Sequence, residues 1–149
     1  MKKLSYIFIV LITIAMASCE QNLEYNDIQA NKAEGEWMVK AYINGINVFE
    51  SFPVRTYTSP SGKDSMNIND FEGRFWDFNV KAAVKTADNT FQTQRSVNTV
   101  SGKNIGVKVL NGRIINNDSI YFEIQFEDDE NPYGVTYQLA GHREISSQK

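Results

Sequence analysis

From Gly35 onward the chain alternates apolar and polar residues with a period of two, the pattern of strands that bury one face. Trp37, Val39, Ala41 and Ile43 share a face of the first run, and Asn44-Gly45 then supplies a tight hairpin dipeptide. Further strands are predicted over Ile46–Glu50, Val54–Thr58 (after Pro53), Ser65–Asn69, Phe75–Lys85, Thr90–Val97 and Ile105–Leu110. A second hairpin dipeptide, Asn111-Gly112, leads to Arg113–Ile115. The cleanest alternation is Ser119–Glu127, with Ile120, Phe122, Ile124 and Phe126 on one side and Tyr121, Glu123, Gln125 and Glu127 on the other. Asp128–Pro132 breaks that run, and Tyr133–Arg143 forms the last strand. Within Phe75–Lys85, Trp76 and Phe78 alternate with Asp77 and Asn79; if the interior takes the latter set, Trp76 is outside and open to a partner.

No segment holds a helical period over three turns, and nearly every strand is joined to the next by a short turn. The predicted fold is therefore all-β: about eight antiparallel strands in an up-and-down barrel, since closure removes exposed edges. The interior of an eight-stranded barrel is either filled by side chains or holds one small ligand.

The residues before the barrel read differently. Lys2 and Lys3 precede an apolar run from Leu4 to Met16, then Ala17-Ser18 and Cys19. The run is short for a membrane span, which needs about 20 residues, and has the layout of a secretory signal. With cysteine at the cleavage point it resembles a bacterial lipoprotein signal, with Met16 where leucine is usual. The resemblance implies a signal peptide over 1–18, acylation of Cys19 and attachment to a membrane through the lipid. It places the protein in the bacterial cell envelope, expected at the outer membrane. Residues 19–34 are polar and read as a tether; a flexible one of this length would reach about 20 Å. The barrel domain is 35–149.

Cleavage leaves 131 residues, one domain in size, with 13 basic residues against 18 acidic ones and a formal charge of -5. Such a chain, without a Lys/Arg cluster, is a poor nucleic-acid binder. Cys19 is the only cysteine, so disulfides, a cysteine nucleophile, thiolate zinc and iron–sulfur clusters are all excluded from the folded part. Stability rests on the sixteen aromatics that remain. Asp128-Asp129-Glu130-Asn131 lacks the spacing and glycine of a calcium loop and reads as turn chemistry. No metal and no cofactor are expected.

Gly35-Glu36-Trp37 is similar to the Gly-x-Trp opening of lipocalin-type (calycin) barrels. Together with the lipoprotein signal, the meander and the closing Gly141-His142-Arg143, the chain resembles a family of Bacteroidetes lipoproteins described as "lipid-binding putative hydrolase". That resemblance implies a small barrel and a lipid or other small apolar ligand. It also implies that Arg143 stacks on Trp37 as a structural contact, as lipocalin-type barrels often do. It supplies no catalytic set. The candidates for lining a cavity are Trp37, Val39, Ala41, Phe122, Ile124 and Phe126. His142, the only histidine, is the one available base, and no Gly-x-Ser-x-Gly elbow accompanies it. Asp64, Asp70, Glu72 and Asp77 lie in or beside a loop, where solvated charge is the default rather than a glycosidase pair. The reading is a tethered ligand-binding barrel. The alternatives are a non-catalytic interaction subunit of an envelope or nutrient-uptake complex and, third, an esterase-like hydrolase.

Overall fold

The computed structural model describes residues 33–59 and 64–145; the signal segment, Cys19 and all of the tether except Ala33 and Glu34 lie outside them. Eight strands follow one another: β1 (Gly35–Ile43), β2 (Ile46–Thr58), β3 (Ser65–Asn69), β4 (Asn79–Lys85), β5 (Thr90–Val97), β6 (Gly106–Ile115), β7 (Ser119–Phe126) and β8 (Tyr137–Arg143). Each pairs antiparallel with the next, and β8 closes on β1, from Trp37 opposite Arg143 to Tyr42 opposite Gln138. The result is the expected closed up-and-down barrel.

The period-two faces sort as the sequence predicts. Trp37, Val39 and Ala41 of β1, and Ile120, Phe122, Ile124 and Phe126 of β7, join Phe52, Val54, Ile68, Phe78, Val80 and Leu139 in one buried core. Asn44 and Gly45 both take positive φ, as a type I′ turn requires.

Four expected boundaries are corrected. Pro53 does not divide two strands: β2 runs through it. At Pro53 the strand has β1 on one side, while pairing with β3 begins only at Arg55, so the missing amide hydrogen costs little there. Asn111-Gly112 is not a hairpin but a bulge inside β6, with Asn111 at φ 52° and the register slipping between Leu110 and Arg113. The turn comes later, at Asn116 and Asn117, both at positive φ. Finally, residues 75–78 and 133–136 are loop rather than strand; positive φ at Asp77 and at Tyr133 breaks the extended backbone.

The barrel has two unlike poles. At one, Arg143 lies over the Trp37 ring, 4.2 Å from its centroid, and donates to the carbonyls of Glu34 and Asn117. The Trp37 indole N–H donates to Thr56 Oγ1 at 2.9 Å, and that hydroxyl donates to the Ala33 carbonyl. A Cβ at Gly35 would push the Arg143 guanidinium out of this place, and Gly141 is required because one would run into the Met38 carbonyl of β1. Both described ends of the chain meet this pole, where the Glu144 amide donates to the Glu36 carbonyl. The loops 44–45, 70–78, 98–105 and 127–136 gather at the other pole.

Candidate functional site

The loop pole carries the site. Of the long strand β2, only Arg55–Thr58 pairs with the five-residue β3, so its first half has no strand beside it on that side. Loop 70–78 covers the opening. Its organiser is Asp70, a fully buried carboxylate. A buried charge is tolerable only when hydrogen-bonded, and Asp70 accepts from four successive backbone amides: Arg74 at 3.2 Å, Phe75 at 2.8 Å, Trp76 at 3.1 Å and Asp77 at 3.3 Å. Gly73, at φ 60°, completes the turn by donating its amide to the Asp70 carbonyl.

That cage turns two rings inward. Phe75 stacks on Phe52 at 5.0 Å and meets Phe49 and Tyr137 edge-on at 5.4 and 5.3 Å. Trp76 lies flat on Phe126, centroids 4.3 Å apart and planes 5° from parallel. The polar ends of the rings are held by the acidic run after β7: the Trp76 indole N–H donates to Asp128 at 3.1 Å, and the Tyr137 hydroxyl to Asp129 at 3.0 Å. Burial, then the Asp129 carboxylate, pushes the Tyr137 phenol up to about 12. The acidic run is thus spent on aromatic groups, and among the described residues no cluster of acidic or histidine side chains suits a metal ion. Phe49, Phe75, Trp76 and Tyr137 are only half-buried, so the loop pole is an aromatic mouth over an apolar interior.

The other residues singled out from the sequence distribute as follows. Trp37, Val39, Ala41, Phe122, Ile124 and Phe126 are all buried inside, and Phe126 underlies the mouth directly. Trp76 belongs to neither strand face: it closes the mouth. His142 is exposed on the outer wall, where its Nδ1 lies 3.1 Å from Ser119 Oγ of β7. This serine–histidine pair became legible only with the β7–β8 register, which sets Ser119 opposite His142. Among the described hydrogen bonds no carboxylate orients His142, and the neighbouring Arg143 amide is given to the Asp118 carbonyl. Asp70, Phe75, Trp76 and Tyr137, which build the mouth, were not foreseen in that role. The one local signal was the turn pattern Asp70-Phe71-Glu72-Gly73.

A second polar cluster braces the same pole. Glu127 accepts from the Gly106 amide, from Arg95 and from Tyr133, and these hold its carboxyl below the usual glutamate range, the Gly106 amide most of all.

Residues 22–146 match the family described as "Lipid-binding putative hydrolase". The chain belongs to this family. Among solved structures it is similar to two redesigned β-barrels. The first shares 15% identity over 78% of this chain and 96% of that one, with a TM-score of 0.48. The second, mFAP1 in complex with DFHBI, shares 16% identity over 78% and 98%, with a TM-score of 0.47. A comparison with curated proteins gives no match.

Proposed function

We propose that the barrel binds a lipid or another small amphiphile through the aromatic mouth, with its apolar part directed at Phe126 and the interior face of β1 and β7. Membership of the lipid-binding family supports the ligand class. The observation that carries the route is the pairing of Trp76 with Phe126: a half-buried indole stacked directly over a fully buried ring. Rings of this kind offer large apolar contact area and a polar edge, and an acyl chain that displaces Trp76 exchanges one apolar contact for another. The finer part of the reading is that acylated Cys19 tethers the barrel to a membrane of the cell envelope, which rests on the signal-like N-terminus.

Tryptophan fluorescence tests the route, because the chain has two tryptophans and they sit at opposite poles. Titration of the full chain with oleate, below its micelle concentration, is expected to change the emission, and Trp76→Phe to abolish that change while retaining binding of radiolabelled oleate. Labelled oleate that fails to bind the wild-type chain overturns the ligand class. Binding with an unchanged Trp76 signal overturns the route.

The second reading, an esterase-like hydrolase, is favoured by one observation, the 3.1 Å contact between Ser119 and His142. It lies on the outer wall and outside the mouth, and its geometry is that of a cross-strand hydrogen bond.

A further inference from the structure

A concavity lies away from the mouth, on the outer wall of β4, β5 and β6. It encloses about 320 Å³ and is lined by Ala83, Lys85, Thr90, Gln92, Asn111 and Arg113, with Phe91 and Gly112 at its floor. The sheet is depressed there for a local reason. The β5–β6 register slips after Phe91, the β6 bulge follows Leu110, and Ala83 and Gly112 present almost no side chain.

Register places two cationic residues in one row. Lys85 stands opposite Thr90, and Thr90 opposite Arg113, in one row across three strands. Neighbouring strands are about 4.8 Å apart, so the two cationic residues flank the threonine with backbones about 10 Å from each other. The Arg113 guanidinium rests over the Tyr121 ring of β7 at 4.5 Å, on the side away from Thr90, at the far rim of the groove, and cation–π contact leaves its N–H edges available. Among the described residues neither Lys85 nor Arg113 forms an ion pair; the four ion pairs lie elsewhere. No carboxylate is among the lining residues, although the chain has 18 acidic residues against 15 basic ones. Two acids adjoin the groove without lining it: Asp88 accepts from the Thr90 hydroxyl and feels the Lys85 charge, and Glu123 accepts from Asn111 and Tyr121.

We infer that this groove is a binding site for a small hydroxylated organic anion, independent of the aromatic mouth. Lys85 and Arg113 would hold the oxyanion by charge-assisted hydrogen bonds. The Gln92 amide and the acceptor oxygens of Thr90 and Asn111, whose donors serve Asp88 and Glu123, would meet hydroxyl groups, and Ala83 and the Phe91 edge the carbon skeleton. The volume, at the small end for ligand sites, suits a monosaccharide-sized molecule. A phosphate ester and a carboxylate share this chemistry, and the experiment separates them.

Amide chemical shifts of the ¹⁵N-labelled full chain would be followed during titration with glucose 6-phosphate, glucuronate and neutral glucose, each to about 10 mM, tenfold above a Kd of about 1 mM. Expected are saturable shifts at Gln92, Asn111, Gly112 and Arg113 with at least one anion and not with glucose. The anion that binds more tightly names the group recognised. Lys85→Gln and Arg113→Gln, both exposed positions, should each weaken binding about tenfold while leaving the remaining spectrum in place. Shifts with neither anion, equal shifts with glucose, or undiminished binding in the double variant overturn the proposal. Oleate binding at the mouth is a separate readout, so either site can fail without the other.

Discussion

The Arg143 guanidinium lies 4.2 Å over the centroid of the Trp37 ring, and the two residues are also direct partners across the β1–β8 pair that closes the barrel. One contact therefore both caps the interior and fixes the closing register. Glycine at 35 leaves room for it, and the carbonyls of Glu34 and Asn117 tie the same guanidinium to the chain's first described residues and to the β6–β7 turn. Arg143→Ala is expected to cost about 2–4 kcal/mol, from the lost cation–π contact and the charged hydrogen bonds. Arg143→Lys should recover only part, because an ammonium cannot reproduce the planar fork. Urea denaturation measures both; a loss below about 0.5 kcal/mol, the surface value, would contradict a capping role.

Asp70 should matter more than any other loop residue. Asp70→Asn keeps the size but turns an amide group toward four backbone donors. The expected loss is about 2–3 kcal/mol, since hydrogen bonds to a buried charge are among the stronger ones. Trp76 emission should shift to the red as the loop loosens, while Trp37, buried at the other pole, keeps its environment. An unchanged spectrum together with unchanged stability would show that the loop stands without its carboxylate.

Glu127 predicts an acid-side dependence. Its carboxyl is held below the ordinary glutamate value of 4.5 in the folded chain, first by the Gly106 amide and then by Arg95. A depressed folded value stabilises fully above the unfolded value, and the gain disappears as pH falls through the folded one. Wild type should therefore exceed Glu127→Gln in melting temperature at neutral pH, and the two should converge well below pH 4.5. A gap that stays constant across that range would remove the carboxylate from the account.

His142→Gln bears on the hydrolase reading. The imidazole bonds Ser119 on the exposed outer wall, so its replacement should cost about 1 kcal/mol or less and leave oleate binding within about threefold. Turnover of p-nitrophenyl esters by the wild-type chain should match the rate in buffer. Turnover that is clearly faster, and lost in His142→Gln and Ser119→Ala with the fold intact by circular dichroism, would establish the pair as catalytic.

Strand faces were legible because burial in a barrel imposes strict alternation, as in Ser119–Phe126, and because Asn44-Gly45 specifies its turn through two positive φ angles. Pro53 and Asn111-Gly112 misled for one reason. Both are local punctuation whose meaning depends on a neighbouring strand, and register is not a local property. The mouth was illegible for a related reason. Alternation in Phe75–Phe78 imitates a strand, yet Asp70 captures the amides that a strand would give to its partner. The groove on β4–β6 likewise joins residues thirty positions apart in sequence, from Ala83 to Arg113.

The separation of the barrel's poles gives the proposed ligand traffic a direction. The described chain enters beside Arg143 and Trp37, and the aromatic mouth opens at the far end of strands such as the nine-residue β1, about 30 Å long at 3.3 Å per residue. With Cys19 acylated as proposed, the mouth would point outward from the leaflet that holds the lipid. Cargo would then be exchanged with whatever faces that membrane across the intervening space, and the anchoring bilayer would serve as a mooring instead of a source.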